Sequence, residues 1–304
     1  MKRLLTLLMK GRMQAIMATT IFAVLALLVT PLTVISAGMV VLATLRNGAR
    51  EGLVIALSAT LAIAGLGGLL FNMPLALALL GLLLWMPAWG LASILGSSHS
   101  LAKAFGAAAI GGLLVVALQY VWLEAPVDFW HGLLQEFIQG RFDPAVVSAA
   151  DQQALLQAVA AWMPGSAGAG WMLGMVISLL LGRWAMALLD DTKAFAAEFS
   201  ALRVSRIWLI ALPLFMLPGL LMAGQPGLSS HLCVVVMLLF VLQGLSMAHG
   251  LVQQLQAKTA WLFALYFLLF MGAPYGVAAI AAAGYADGWV DFRAKARARS
   301  QQSK

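Results

Sequence analysis

Charged residues are scarce in this sequence, and their scarcity excludes a soluble globular protein. Asp, Glu, Lys and Arg make up 10% of the 304 residues, whereas an ordinary soluble protein has about 25%. Hydrophobic residues make up 63%, and the mean hydropathy is +0.96. The composition therefore predicts an integral membrane protein.

Cysteine and the motifs of common enzymes are also rare or missing. Cys233 is the single cysteine, so an intrachain disulfide and a cysteine metal cluster are excluded. The sequence has no GxxxxGK[ST], HExxH or GxSxG motif, and its four histidines lack metal-ligand spacing. The apolar runs contain no acidic residue, although a proton-coupled pump usually carries one as a relay. We therefore expect a protein that is not an enzyme and that binds no cofactor or metal.

Basic residues outnumber acidic ones, with a formal charge of +7. They lie mostly at the ends of apolar runs, as the positive-inside rule predicts, so the expected partner is the lipid bilayer and not nucleic acid. Segment 124–163 is the exception, since it holds five acidic residues and one arginine, a net charge of −5 + 1 = −4. We expect this segment outside a bacterial inner membrane and both termini in the cytoplasm.

Apolar runs of about 20 residues predict membrane-spanning helices. The basic N-terminus is typical of a signal peptide, but the run that follows is too long for one, so we interpret it as a retained anchor. Pro31 divides this run into a hairpin that keeps both flanking basic clusters on one side. We therefore predict an all-α fold, a single polytopic bundle over 1–304 with about eight full spans. The predicted spans are two within 13–45 and then 52–70, 75–95, 104–122, 165–189, 207–223 and 231–252.

The last apolar run, 259–286, is interrupted by Gly272, Ala273 and Pro274. A broken, re-entrant or doubly crossing element there returns the basic tail 287–304 to the cytoplasm. Ten short crossings, or nine with the tail outside, are the alternative topologies.

The outer segment 124–163 carries an amphipathic pattern. Phe129, Leu133 and Phe137 recur at helical spacing, and Asp143 followed by Pro144 is typical of the start of a second helix, over 145–162. Two helices on the outer face or capping the bundle fit this pattern, and a solvated spacer is the alternative.

Segment 190–206 predicts a short cytoplasmic helix capped by Asp191 or Thr192, with Phe195, Phe199 and Leu202 on one face. An interfacial helix and a coupling helix for a protein partner both fit. In the second interpretation, the partner-facing residues are Arg183, Asp190, Asp191, Phe195, Phe199 and Arg203.

Polar residues in the predicted spans are candidates for a solute cavity. Gln243, Ser246 and His249 form a stripe that should face protein or a cavity rather than lipid; hydrogen bonds between helices are the alternative role. Gly170 and Gly174 form a GxxxG pair that permits close helix packing. The candidate cavity residues are Gln119, Tyr120, Trp171, Gln243, His249, Pro274 and Tyr275.

Three short motifs carry a family resemblance: TLRNG at 44–48, FAAEFSALR at 195–203 and GYADGWVDFR at 284–293. With them, the chain resembles the YybS-like family of bacterial polytopic membrane proteins. That family is distantly similar to the substrate-binding components of energy-coupling-factor importers, which bind vitamins or metal ions and dock onto a membrane coupling subunit. The chain differs in having more than six predicted spans and an added acidic segment.

Two functions follow as expectations. The first is a non-enzymatic importer component that holds a small solute in the outer half of the bundle and docks onto a membrane coupling subunit. The second is a scaffold or assembly factor that recruits a protein through its acidic loop or basic tail.

Overall fold

The computed structural model describes residues 2–139, 148–190, 192–221 and 226–302, and all regular secondary structure in these ranges is helical. The predicted all-α fold is confirmed. The helices are α1 Lys2–Leu8, α2 Arg12–Ala26, α3 Leu32–Asn47, α4 Ala49–Phe71, α5 Pro74–Ser98, α6 Leu101–Trp122, α7 Pro126–Ile138, α8 Ala149–Ala160, α9 Met163–Leu189, α10 Ala194–Ser200, α11 Arg206–Leu221, α12 Leu228–Gln254, α13 Ala260–Met271, α14 Tyr275–Val290 and α15 Phe292–Gln302.

Five helices in the described ranges, α4, α5, α6, α9 and α12, are long and apolar enough to cross a membrane. They are consistent with a multi-pass membrane protein. The apolar helices α2, α3, α11 and α13 have 12 to 16 residues. At 1.5 Å per residue they reach about 18 to 24 Å, less than the roughly 30 Å hydrocarbon core. The predicted count of eight full spans is therefore not confirmed.

Both predicted breaks in the apolar runs are present. Helix α2 ends at Ala26 and α3 begins at Leu32, while α13 ends at Met271 and α14 begins at Tyr275. Pro31 and Pro274 are the N-cap residues of α3 and α14. A proline has no N–H to donate and its ring clashes with the preceding turn, so each lies where a helix begins.

The described part of segment 124–163 contains the helices α7 and α8, which pack against each other. Asp143 and Pro144, predicted to start the second helix, lie outside the described residues. The observed N-cap of α8 is Ser148, whose hydroxyl oxygen accepts the N–H of Asp151 at 3.1 Å. The same hydroxyl donates to the Asp151 carboxylate at 2.7 Å. The residue that caps the described helix is therefore a serine five positions after the predicted aspartate.

The internal contacts of the chain divide it into two compact units. The first contains residues 1–108 and 173–202, and the second contains 109–172 and 203–304. In the first unit, a chain of hydrogen bonds joins three helices at a buried tryptophan. The Trp85 indole N–H donates to the Ser36 hydroxyl at 3.0 Å, and Ser36 donates to the carbonyl of Thr19 at 2.8 Å. These bonds tie α5 to α3 and α3 to α2.

In the second unit, α6 and α9 approach closely at a pair of glycines. A Cβ on Gly112 would lie 2.9 Å from the carbonyl oxygen of Gly168, and a Cβ on Gly168 would lie 2.7 Å from that of Gly112. A Cβ on Gly170 or Gly174 would meet no described atom within 4 Å. The close packing predicted for the GxxxG pair is therefore found at Gly112 and Gly168 instead.

Candidate functional site

A network of buried polar groups joins α12 to α14 in the second unit, and Gln243 is its first member. Gln243 on α12 is fully buried. Its side-chain oxygen accepts the N–H of Val204 at 2.9 Å, and its side-chain nitrogen donates to the carbonyl of Gly284 at 2.8 Å. Both ends of this amide are thus bonded to protein atoms. The side chain fixes the segment that leads into α11, and also α14, against α12.

A buried ion pair lies further along the same network. Asp287 on α14 is 0% exposed and Arg293 on α15 is 3% exposed. The Arg293 guanidinium donates to the Asp287 carboxylate at 2.7 Å and to the hydroxyl of Ser246 at 3.3 Å. The second carboxylate oxygen accepts the N–H of Phe292 at 3.2 Å. Each ion of such a buried pair loses its hydration, so these hydrogen bonds are needed to compensate both charges.

Sequence reasoning placed Asp287 and Arg293 in a tail outside the bundle. A hydropathy profile shows Asp287 only as the first charged residue after an apolar run. The profile gives no sign of its partner Arg293, which lies on another helix. The usable signal was the spacing of opposite charges in GYADGWVDFR at 284–293.

Arg203, one of the residues predicted to face a partner, contacts the end of α14. Its guanidinium pairs with the Asp291 carboxylate and donates to the carbonyls of Asp287 at 3.3 Å and Gly288 at 3.5 Å. A cation at these carbonyls complements the negative end of the helix. Asp291, with φ of 50°, ends α14, and its carboxylate accepts the N–H of Ala294 at 3.0 Å in α15. Arg203 and Asp291 together determine the turn between the two helices.

A second polar cluster lies at the end of α6 and includes two of the predicted cavity residues. The Gln119 side-chain oxygen accepts the indole N–H of Trp130 at 2.8 Å, and its nitrogen donates to the carbonyl of Pro164 at 3.2 Å. The Tyr120 hydroxyl lies 2.7 Å from Nδ1 of His231. Nε2 of His231, which is fully buried, lies 2.7 Å from the carbonyl of Ala161. A carbonyl only accepts, so Nε2 carries the proton of this bond.

The structure does not gather the predicted cavity residues in one place. Gln243 lies 12 positions beyond His231 on α12, about 18 Å at 1.5 Å per residue. His249 Nε2 lies 3.0 Å from the Tyr266 hydroxyl, and the Trp171 ring lies against Gly111. Pro274 and Tyr275 are at the start of α14, where Tyr275 is 84% exposed.

A groove lies between α7 and α8 in segment 124–163. Its volume is about 640 Å³, and its lining is rich in amide and carboxylate groups. A smaller pocket of about 250 Å³ shares Asp128 with it. The two helices are linked beside these cavities by His131 and Gln153, whose side-chain nitrogens lie 3.0 Å apart. The groove is lined by Asp128, Phe129, Gly132, Leu133, Gln135, Glu136, Gln139 and Gln152.

Helix α10 is held by an ion pair within the first unit. The Arg183 guanidinium binds both carboxylate oxygens of Glu198, and its Nε lies 2.8 Å from one of them. The rings of Phe195 and Phe199 stack with centroids 6.4 Å apart, and both side chains are partly exposed.

The predicted cap of α10 by Thr192 is wrong, because the N-cap is Lys193, which makes no side-chain capping bond. The other predicted cap, Asp191, lies outside the described residues. Asp190 is exposed at the end of α9.

Among the described residues, no group of three or more His, Cys, Asp or Glu side chains is placed to hold a metal ion. Searches of protein families, curated proteins and solved structures found no match to the chain.

Proposed function

We propose that this protein is a non-enzymatic component of a bacterial inner-membrane importer that binds a small solute. In this proposal the chain crosses the membrane about eight times, ends in a broken C-terminal element and keeps both termini in the cytoplasm. The short helices α2, α3 and α11 then cross through a locally thinned bilayer or beside other helices. The resemblance to the YybS-like family and the distribution of basic residues support this topology.

The groove between α7 and α8 is the observation that carries the solute-binding function. Asp128 and Glu136 supply carboxylates, while Gln135, Gln139 and Gln152 supply amides. Carboxylates accept hydrogen bonds and attract cations, and amides both donate and accept. The groove therefore suits a small, polar solute that carries positive charge or several donors. We place the solute site in segment 124–163 and not in the predicted bundle cavity, because Gln119, Tyr120 and Gln243 are already hydrogen-bonded to protein groups.

Helix α10 is the proposed contact with a membrane coupling subunit. The ion pair between Arg183 and Glu198 fixes α10 against α9, so the stacked Phe195 and Phe199 are presented in a defined orientation. Partly exposed aromatic residues on a fixed helix suit a protein contact. Arg203, bonded to α14, is no longer included in this surface.

Native mass spectrometry of the protein purified from its own membranes tests solute binding. We expect a small bound mass in the wild type that is lost in Asp128→Asn/Glu136→Gln. The control Glu124→Gln/Asp151→Asn removes the same charge from the outer segment without changing a groove residue, so it should retain the mass. A wild type without bound solute, or equal retention by both variants, would contradict the groove assignment.

A scaffold or assembly factor is the second candidate, because α10 suits a protein contact whether or not a solute binds. Phe195→Asp/Phe199→Asp should abolish copurification of a partner in either case. The control is Ala196→Asp/Ala197→Asp, which adds the same two carboxylates at exposed positions of α10 but leaves both phenylalanines in place. Phe215 and Phe263 are unsuitable control positions, since both lie in apolar helices. A partner that copurifies without any small bound mass would favour the scaffold.

A further inference from the structure

The two carboxylates of the groove between α7 and α8 lie far apart on one helix. Asp128, Gly132 and Glu136 all line the groove and follow each other at four-residue intervals, so they lie along one side of α7. At 1.5 Å per residue, the two acidic residues are separated by about 12 Å along the helix axis. Every Cα–Cβ bond of a helix tilts toward its N-terminus, so both side chains lean the same way and the carboxylates keep about this separation.

This separation determines how a cationic solute can use both carboxylates. The oxygen ligands of Ca²⁺ lie about 2.3 to 2.6 Å from the ion, so two oxygens of one site are at most about 5 Å apart. A single metal ion therefore does not reach both Asp128 and Glu136. Both side chains are exposed, and each presents its charge to the groove. The arrangement suits a solute that carries two positive charges with a spacer between them.

The groove is open and partly apolar between the two carboxylates. A Cβ on Gly132, which lies midway between them, would meet no described atom within 4 Å. Phe129 and Leu133 line the same groove and are 50% and 45% exposed. Each of them follows a member of the first row by one position, so they form an apolar row beside it. Methylene groups that leave water against such side chains are stabilised, so the spacer that fits here is aliphatic.

We propose that the groove binds a linear aliphatic diamine, with one ammonium group at Asp128, the other at Glu136 and the methylene chain over Gly132. This inference rests on the proposed solute-binding function and specifies the ligand. An alkylammonium group, like that of lysine, keeps its positive charge at neutral pH and donates up to three hydrogen bonds. An extended chain advances about 1.2 Å per bond, so nine or ten bonds between the nitrogens match a spacing of about 12 Å.

Isothermal titration calorimetry of the detergent-purified full-length protein with three amines tests this ligand. The nitrogens of extended 1,8-diaminooctane are about 11 Å apart, and those of 1,4-diaminobutane are about 6 Å apart. The third amine, 8-amino-1-octanol, keeps the length of the first but replaces one ammonium group by a hydroxyl. An exposed ion pair strengthens binding by up to about fivefold. We expect 1,8-diaminooctane to bind about fivefold more tightly than the other two, because it alone brings a charge to each carboxylate.

Substitutions in the groove should remove this preference in two different ways. In Asp128→Asn and in Glu136→Gln one carboxylate remains, so 1,8-diaminooctane and 8-amino-1-octanol should bind equally. Gly132→Leu keeps both carboxylates but fills the space between them, so it should weaken 1,8-diaminooctane about fivefold. Leucine favours a helix more than glycine does, so this variant should fold. The control Ala158→Leu adds a leucine at an exposed position of α8 outside the groove lining and should bind as the wild type does.

A wild type that binds 1,8-diaminooctane and 8-amino-1-octanol equally would overturn the inference, as would the absence of binding by all three amines. Equal affinity of Gly132→Leu and Ala158→Leu for 1,8-diaminooctane would also overturn it. The proposed function fails on a different result, the absence of any small bound mass in native mass spectrometry of the wild type. A preference for 1,8-diaminooctane that is lost in the three groove variants and kept in Ala158→Leu would establish the ligand class.

Discussion

Replacing Arg293 with methionine should destabilise the protein strongly. The substitution leaves the carboxylate of Asp287 fully buried, with the N–H of Phe292 as its remaining described partner. Removing one member of a buried ion pair typically costs about 3 to 5 kcal/mol, because the other charge remains uncompensated. We expect a loss of that size in the free energy of unfolding.

The double variant Asp287→Leu/Arg293→Met should recover most of this loss. Replacing both members of a buried pair by apolar residues of similar volume is often neutral or stabilising. Here the Phe292 N–H and the Ser246 hydroxyl lose a partner, at about 1 kcal/mol for each hydrogen bond. The double variant should therefore lie within about 2 kcal/mol of the wild type.

Unfolding by sodium dodecyl sulfate in mixed micelles, followed by far-ultraviolet circular dichroism, measures these differences. Arg12→Met is the matched control, because Arg12 pairs with Glu51 at the surface, where the two side chains are 57% and 35% exposed. Exposed pairs contribute little, since water already solvates both charges. A loss in Arg293→Met no larger than in Arg12→Met, or a double variant as unstable as the single one, would refute the reasoning.

Two further predictions concern packing. Gly168→Ala should lower the unfolding midpoint, because its Cβ would lie 2.7 Å from the carbonyl of Gly112 and overpacking costs about 1 to 3 kcal/mol. The control Gly170→Ala, whose Cβ would meet no described atom within 4 Å, should leave the midpoint unchanged. Equal midpoints for the two variants would contradict the assigned helix contact. Trp85→Phe should cost about 1 to 3 kcal/mol in the same assay, since Ser36 loses the buried indole N–H, and wild-type stability would show that this bond contributes nothing.

The sequence predicted those parts of the fold that depend on local chemistry. Pro31 and Pro274 are each the N-cap of a helix, a position where the missing N–H costs no helical hydrogen bond. Pro87, Pro213 and Pro218 lie inside helices, so a proline marks a break only in some of the apolar runs. The amphipathic α7 was predicted from the helical spacing of Phe129, Leu133 and Phe137. The number of full spans was not predictable in this way, because hydropathy marks an apolar run but does not set the length of the helix within it.

Partners that are distant in sequence decided the rest. Gln243 bonds with Val204 and Gly284, which are 39 and 41 positions away. The polar stripe on its helix showed that these groups face protein or a cavity, but it did not identify which backbone groups they meet. The GxxxG pair failed for a similar reason: close packing needs a small residue on the facing helix, and Gly168 faces Gly112 while Gly170 faces open space.

Helix α12 bonds with elements at both of its ends in the second unit. In its apolar window 61% of the residues are buried, against 28–44% in the other four long helices, so α12 is the most enclosed of the five. Near its start, His231 bonds with Tyr120 and with Ala161, which directly follows α8. Further along, Gln243 and Ser246 bond with the α14–α15 region. Because α6, the residue after α8 and the α14–α15 region all bond to α12, the side chains of His231, Gln243 and Ser246 hold these elements of the second unit together.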